Sequence, residues 1–303
     1  MTETATPPRR RRRRRRRRKN YRPLILPAAV IVLVGLMVVF IHGLSDDQPD
    51  TSTQSTQNST ESTQSTTDTV PEETVPPPTT AADVVEAFAL ENGLTLADYP
   101  EKLIELLARN PETEEFVLNY PLEYGKEHPM DISGYADYQG VPLFIQWDKQ
   151  WGYRDYAGNL AGLSGCGPTC LSMVTYYFTR DPAMTPAYMM EFSEENRYGI
   201  AGSGTQWSLF GEGAAKLGLS VKELTSEQIA SEEKIAQVLN SGRLIVANVS
   251  PGVFTTVGHY IVITGYEDGK FRVNDPNSYA NSQKLWEFEE FSDQIKMMWS
   301  FSN

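Results

Sequence analysis

The segment GLSGCGPTC, residues 162–170, holds both cysteines of the 303-residue chain. Cys166 stands between Gly165 and Gly167, two residues ahead of Pro168. A cysteine nucleophile acts as the thiolate and needs a base, most often a histidine. The chain has three. His42 ends an apolar run, His128 lies in the polar stretch KEHPM, and His259 opens the apolar stretch HYIVITGYE. His259 is therefore the candidate base. Asp275, at the end of KFRVND, is the carboxylate that could hold its ring in one tautomer. The bland alternatives are an inert thiol in a Gly-rich turn, a satisfied core histidine, and NDPN as a strand-ending turn.

The elements that must position these groups follow from local pattern. Pro168 suits the first turn of a helix, which places Cys166 at the N-terminus of a helix running through CLSMVTYYFT. Free N–H groups and the macrodipole there favour negative charge. Gly165 and Gly167 lack a Cβ and would let a substrate backbone approach, so both are expected to bind substrate. HYIVITGYE and KFRVND read as two strands of a hairpin. A three-residue loop with Gly269 in the left-handed position pairs Tyr266 with Lys270. Counting back then sets Asp275 opposite Ile261, a diagonal neighbour of His259 on the same face. A two-residue loop closed by Glu267 and Lys270 would turn Asp275 to the wrong face. Cys170 is expected to pack in the core. A Cys166–Cys170 disulfide is awkward within a helix, and a metal site of Cys166, Cys170, His259 and Asp275 lacks the usual close ligand pairs. No metal or other cofactor is expected. Trp207, after GSGTQ, is the candidate substrate-facing ring.

Three motifs in this order, VPLFIQWDKQWGY, SGCGPTCLSMV and FTTVGHYIVITGYEDGKFRVNDPNS, resemble the C39-like family of papain-like cysteine peptidases over roughly residues 140–300. The resemblance implies an α+β papain-like cysteine peptidase fold, a central helix packed on an antiparallel sheet. It implies a Cys166–His259–Asp275 triad, with an upstream Gln completing the oxyanion hole. Gln146 ends the PLFIQ run and is preferred to Gln150 for that role. Bacteriocin-exporting members carry transporter segments, which this sequence lacks. Other members are bacterial and extracytoplasmic.

The rest of the chain reads as a delivery system. Residues 1–23 form a polybasic tail with ten consecutive arginines, Arg9 to Arg18. Leu24 to Ile41 is an 18-residue run without a charge, nearly long enough at about 1.5 Å per residue to cross a hydrocarbon core of about 30 Å. A single transmembrane helix is expected at 24–44, with the arginines cytoplasmic and the C-terminal remainder of the chain outside. A cleaved signal peptide fits the flanks poorly, and the basic tract is assigned to lipid headgroups rather than to nucleic acid. From Asp46 onward the chain holds 15 basic and 38 acidic residues. Residues 45–80 are a Thr/Ser/Gln/Pro stalk expected to be disordered. Residues 81–133 form a helical lead-in that must pack on the domain after it, or else act as an inhibitory pro-segment. Residues 134–303 form the C39-like domain. VPLFIQW reads as a strand, ETEEFVLNY as a helix stopped before Pro121, and LIVANV as a further strand.

The expectation is thus a surface-anchored cysteine peptidase acting on a peptide or protein outside the membrane. Its alternatives are a peptidoglycan amide hydrolase and a non-catalytic module that binds peptides or wall polymers. Oligomeric state is left open.

Overall fold

A computed structural model describes residues 80–303. The basic tail, the expected anchor and the stalk up to residue 79 lie outside the described residues. Among the described residues no helix is long and apolar enough to cross a membrane. Thr80 is no longer stalk. It caps the first helix, α1 (Ala81–Glu91), by accepting from the Asp83 N–H while the Asp83 carboxylate accepts the Thr80 N–H.

Helix α2 (Glu101–Arg109) comes after Pro100, and α3 (Glu114–Leu118) after Asn110-Pro111. Pro121 does not end helical structure as expected. It occupies the first turn of a further short helix, Tyr120–Glu123, where its missing N–H costs nothing. The lead-in buries Val85, Leu103, Leu106, Phe116 and Val117 together with Tyr153 and Leu160 of the residues that follow. Phe116 stacks on Tyr153 with ring centroids 4.6 Å apart. The expected packing on the domain is what the structure shows.

The domain is built on one helix and one sheet. The helix, α4 (Cys166–Thr179), begins at the expected cysteine and ends at Arg180 in the left-handed conformation. The six-stranded antiparallel sheet consists of β1 (Ser220–Glu223), β2 (Leu244–Val249), β3 (His259–Glu267), β4 (Lys270–Asn274), β5 (Leu285–Trp286) and β6 (Ile295–Ser302), in the order β1-β6-β2-β3-β4-β5. Alternation along the strands divides the core. Val246, Tyr260, Val262, Trp299 and Phe301 pack against Cys170, Met173 and Val174 of α4. Ile245, Ala247, Ile261, Ile263 and Val273 face the other way, onto Ile235 and Leu239 of a helix at Glu232–Asn240. Both faces are covered, so the central strands are apolar throughout.

Two expectations change. VPLFIQ joins no ladder. Pro142 has no N–H to give, and the carbonyls of Val141 and Pro142 are taken by the Asn274 side chain instead. The Gln146 N–H donates to the Pro276 carbonyl at 2.7 Å. The second change is the β3–β4 hairpin. Its loop is the two-residue one, Asp268-Gly269, with Glu267 opposite Lys270 and both loop residues at positive φ (50° and 78°). The register then shifts between Ile263 and Gly265, leaving Thr264 as the extra residue of a bulge, and Val262 lies opposite Asn274. The bulge restores the count that the shorter loop had lost. Asp275 therefore reaches the face of His259 after all.

Candidate active site

Cys166 is the first residue of α4, half-buried, and its N–H has no acceptor one turn back within that helix. Facing it is His259, the first residue of β3, paired with Val249 of β2 and buried. The imidazole Nε2 donates to Asp275 Oδ1 at 2.7 Å. That leaves the other ring nitrogen for Cys166, which lines the same cleft. Burial alone would push this imidazole down. The Asp275 carboxylate and, behind it, Cys166 outweigh burial, and the ring is pushed from 6.5 up to about 10. The pair thus favours the protonated ring.

Asp275 is itself fully buried and fully occupied. Besides His259, Oδ1 accepts the Asn277 N–H at 2.8 Å and Oδ2 accepts from Asn281 Nδ2 at 2.7 Å. The short helix α5 (Tyr279–Gln283) supplies Asn281 and Ser282, and the Ser282 hydroxyl accepts the Asp275 N–H at 2.9 Å. A buried carboxylate with a donor on every side holds its orientation and, through it, that of the ring. None of these partners was read from the sequence, although Ser278 three residues ahead of Asn281 is a helix-start spacing, and Ser278 does accept the Asn281 N–H at 3.1 Å.

Gln146 is buried and lines one cleft of about 410 Å³ with Cys166 and His259. One of its two amide N–H groups donates to the Gly162 carbonyl at 2.8 Å, and the second has no protein partner among the described residues. Its Oε1 is buried and unpaired, as is Oδ1 of Asn277 on the same cleft. Gln150 is elsewhere, its Oε1 accepting the Asp131 N–H at 2.6 Å.

The three expected substrate contacts do not line this cleft. Gly165 and Gly167 have no Cβ because protein, not open groove, fills the space. A Cβ on Gly165 would stand 2.6 Å from the Ala161 carbonyl oxygen and 2.8 Å from Met190 Cε. One on Gly167 would stand 2.6 Å from the Thr205 hydroxyl, which Tyr156 also contacts at 2.7 Å. Trp207 is half-exposed and packs edge-on against Trp299, centroids 5.9 Å apart. Cys170 is the expected core residue. Its thiol donates to the Tyr260 carbonyl at 3.3 Å, and burial pushes it well above its ordinary value. No disulfide joins it to Cys166.

The lead-in supplies residues that sequence pattern did not suggest for the site. Leu106, Arg109, Asn110 and Glu112 line the same cleft. Asn110 Nδ2 donates to the Asn277 carbonyl at 2.6 Å. The Glu112 carboxylate accepts the Ser278 hydroxyl and the N–H groups of Tyr279 and Ala280, the Tyr279 contact at 2.7 Å. These contacts cross more than 160 residues of chain, which no local signal carries.

A cysteine-led helix laid on an antiparallel sheet, with a His–Asp pair at the end of that sheet, is the arrangement that the C39-like resemblance implies. The chain belongs to the Peptidase_C39 like family, whose model matches residues 138–300. Among solved structures it is similar to a C39-like peptidase from Bacillus anthracis, at 18% identity and a TM-score of 0.37, over 55% of this chain and 96% of that one. It is also similar to the peptidase domain of Streptococcus ComA, a bi-functional ABC transporter involved in a quorum sensing pathway. There the identity is 20% and the TM-score 0.35, over 46% of this chain and 90% of that one. No curated protein matches the sequence.

Proposed function

We propose that the protein is a cysteine peptidase in which Cys166, His259 and Asp275 act as one unit. The observation that carries this reading is the His259–Asp275 contact at 2.7 Å on a ring that lines one cleft with Cys166. In this scheme the Cys166 sulfur attacks the carbonyl carbon of an amide, and the carbonyl electron pair moves onto oxygen. The free N–H of Gln146 and the Cys166 backbone N–H receive that oxyanion. As the tetrahedral adduct collapses, the C–N bond breaks and the imidazolium gives its proton to the leaving amine. The neutral ring then takes a proton from water, whose oxygen displaces the sulfur. A carboxylic acid leaves, and the thiolate–imidazolium pair is restored. Asp275 keeps the ring aimed and supports its charge throughout.

The residues 24–44 support a placement at the outer face of a membrane, with residues 45–79 as a spacer and the basic tail behind. The substrate would then be a peptide or protein outside that membrane.

Alkylation tests the unit directly. With the full-length protein at pH 6, iodoacetamide should label Cys166 selectively, and His259→Ala should abolish the selectivity. Equal, slow labelling of both cysteines would point to a non-catalytic binding module instead. Release of muropeptides without cleavage of any protein, lost in Cys166→Ala, would move the substrate to peptidoglycan.

A further inference from the structure

The two sides of the Cys166 cleft come from different parts of the chain. One belongs to the family-matched residues 138–300, and the other is the lead-in, upstream of that match. Of the lead-in residues at the cleft, Leu106 is buried in the core, while Asn110 and Glu112 are bound to the 277–280 backbone. Arg109 has no such task. It is exposed along the cleft and makes no ion pair among the described residues. Arg154, Arg180, Arg243 and Arg272 are, by contrast, all held by protein oxygens, and Arg197, which is not, does not line this cleft. The last turn of α2 is a favourable place for a cation, which accounts for an arginine at that end of the helix. It does not account for an unpaired one at the mouth of the cleft, in a chain with 38 acids against 15 bases after residue 45.

The other charged groups lining this cleft are Glu112 and His259. The Glu112 carboxylate is already occupied by three donors, and His259 is bound to Asp275. Arg109 is thus the charge left over for a ligand. A planar guanidinium with several N–H donors matches a carboxylate better than any other peptide group. On the opposite side, Val253 and Val257 are exposed and uncharged.

We propose that Arg109 and the lead-in wall form a subsite for a carboxylate of the substrate, close to the amide that Cys166 attacks. The proposal rests on the cysteine-peptidase reading and deepens it. A cleft of about 410 Å³ is at the small end of ligand sites, so the carboxylate lies near the attacked bond along the substrate chain. It comes either from an Asp or Glu side chain or from a free chain terminus.

The first measurement needs no known substrate. Alkylation rates of Cys166 by iodoacetate and by iodoacetamide are compared in the full-length protein, and their ratio isolates the charge of the reagent. Arg109→Gln should lower the iodoacetate/iodoacetamide ratio by about three- to tenfold, the worth of one partly screened charged contact. Arg109→Glu should lower it further, and Arg109→Lys should restore most of it. A ratio unmoved by Arg109→Gln and Arg109→Glu overturns the subsite. Matched blocked peptides then separate the two sources. Glu against Gln at one position reads the side chain, and a free against an amidated C-terminus reads the terminus. A preference for carboxylate in either pair, lost in Arg109→Gln, supports the subsite and names its source. Cleavage without such a preference overturns it while leaving the peptidase reading intact. Labelling of Cys166 that does not depend on His259 ends the peptidase reading, and the reagent ratio still decides whether Arg109 receives an anion.

Discussion

One turn of a single helix separates two cysteines with opposite surroundings. Cys166 begins α4, half-buried, and lines a cleft with His259. Cys170 is four residues on, fully buried beneath β3, its thiol donating to the Tyr260 carbonyl and pushed far from ionisation by burial. The residue type is the same, and the difference is position. At the N-terminus the backbone donors are free and the sheet's end brings His259. One turn deeper there is neither charge nor solvent. Thiol chemistry here is a property of the helix end, not of cysteine as such.

The sharpest break between the two sites is replacement. Cys166→Ala should abolish peptide hydrolysis, a loss of at least about 10³-fold, while leaving the thermal midpoint nearly unchanged. Cys170→Ala should do the reverse, lowering stability by about 1–2 kcal/mol through lost packing and keeping measurable turnover. Hydrolysis assays beside thermal melts of the two variants decide it. Activity surviving in Cys166→Ala would end the proposed mechanism.

That contrast was legible in the sequence because both positions are local. Pro168 set the helix start, and the spacing of Cys170, Met173 and Val174 set the buried face. The hairpin was read less well. His259 and Asp275 were paired through a three-residue loop, whereas the chain uses Asp268-Gly269 and a bulge at Thr264. The two geometries place Asp275 alike, so a wrong turn led to the right neighbour. Strand β6 escaped notice although it sits inside the sheet. Met298, Trp299, Ser300 and Phe301 are all buried, so the stretch has no alternation to read. Arg109, Asn110 and Glu112 lay beyond any local pattern, because tertiary packing alone brings the lead-in to the cleft. The sequence also offered Gly165 and Gly167 as open ground beside the nucleophile, where the structure fills that ground with Ala161, Met190 and Thr205.

The second way to sharpen the comparison uses pH, since Cys166 faces a titrating ring and Cys170 does not. His259 is pushed from 6.5 up to about 10 by Asp275 and Cys166 against the opposing effect of burial. A base whose folded value is raised contributes stability that is fully present below its unfolded value and is lost as pH rises through the folded one. The thermal midpoint of the native protein should therefore exceed that of Asp275→Asn most clearly below pH 6.5, and the gap should close as pH approaches about 10. Cys170→Ala should track the native curve in shape across the same range, displaced downward. A gap between native protein and Asp275→Asn that widened with pH would mean that the buried ring is neutral at rest.

A more local effect is expected where the helix end meets its support. Gly167 lies one residue past Cys166, and an added Cβ would press on the hydroxyl and side-chain carbons of Thr205 at 2.6–2.9 Å. Thr205 cannot swing away freely, because its hydroxyl contacts Tyr156 and its carbonyl accepts from Tyr260. Gly167→Ala should therefore destabilise by about 1–3 kcal/mol, as overpacking does. Thr205→Ser in the same chain removes one of the crowding carbons, keeps the hydroxyl, and should recover part of that loss. Because the displaced turn carries Cys166, the rate of Cys166 alkylation should fall with stability in Gly167→Ala and recover with it in the double variant. A Gly167→Ala protein that melts normally but binds peptides poorly would instead return this glycine to the substrate side, where sequence alone had placed it.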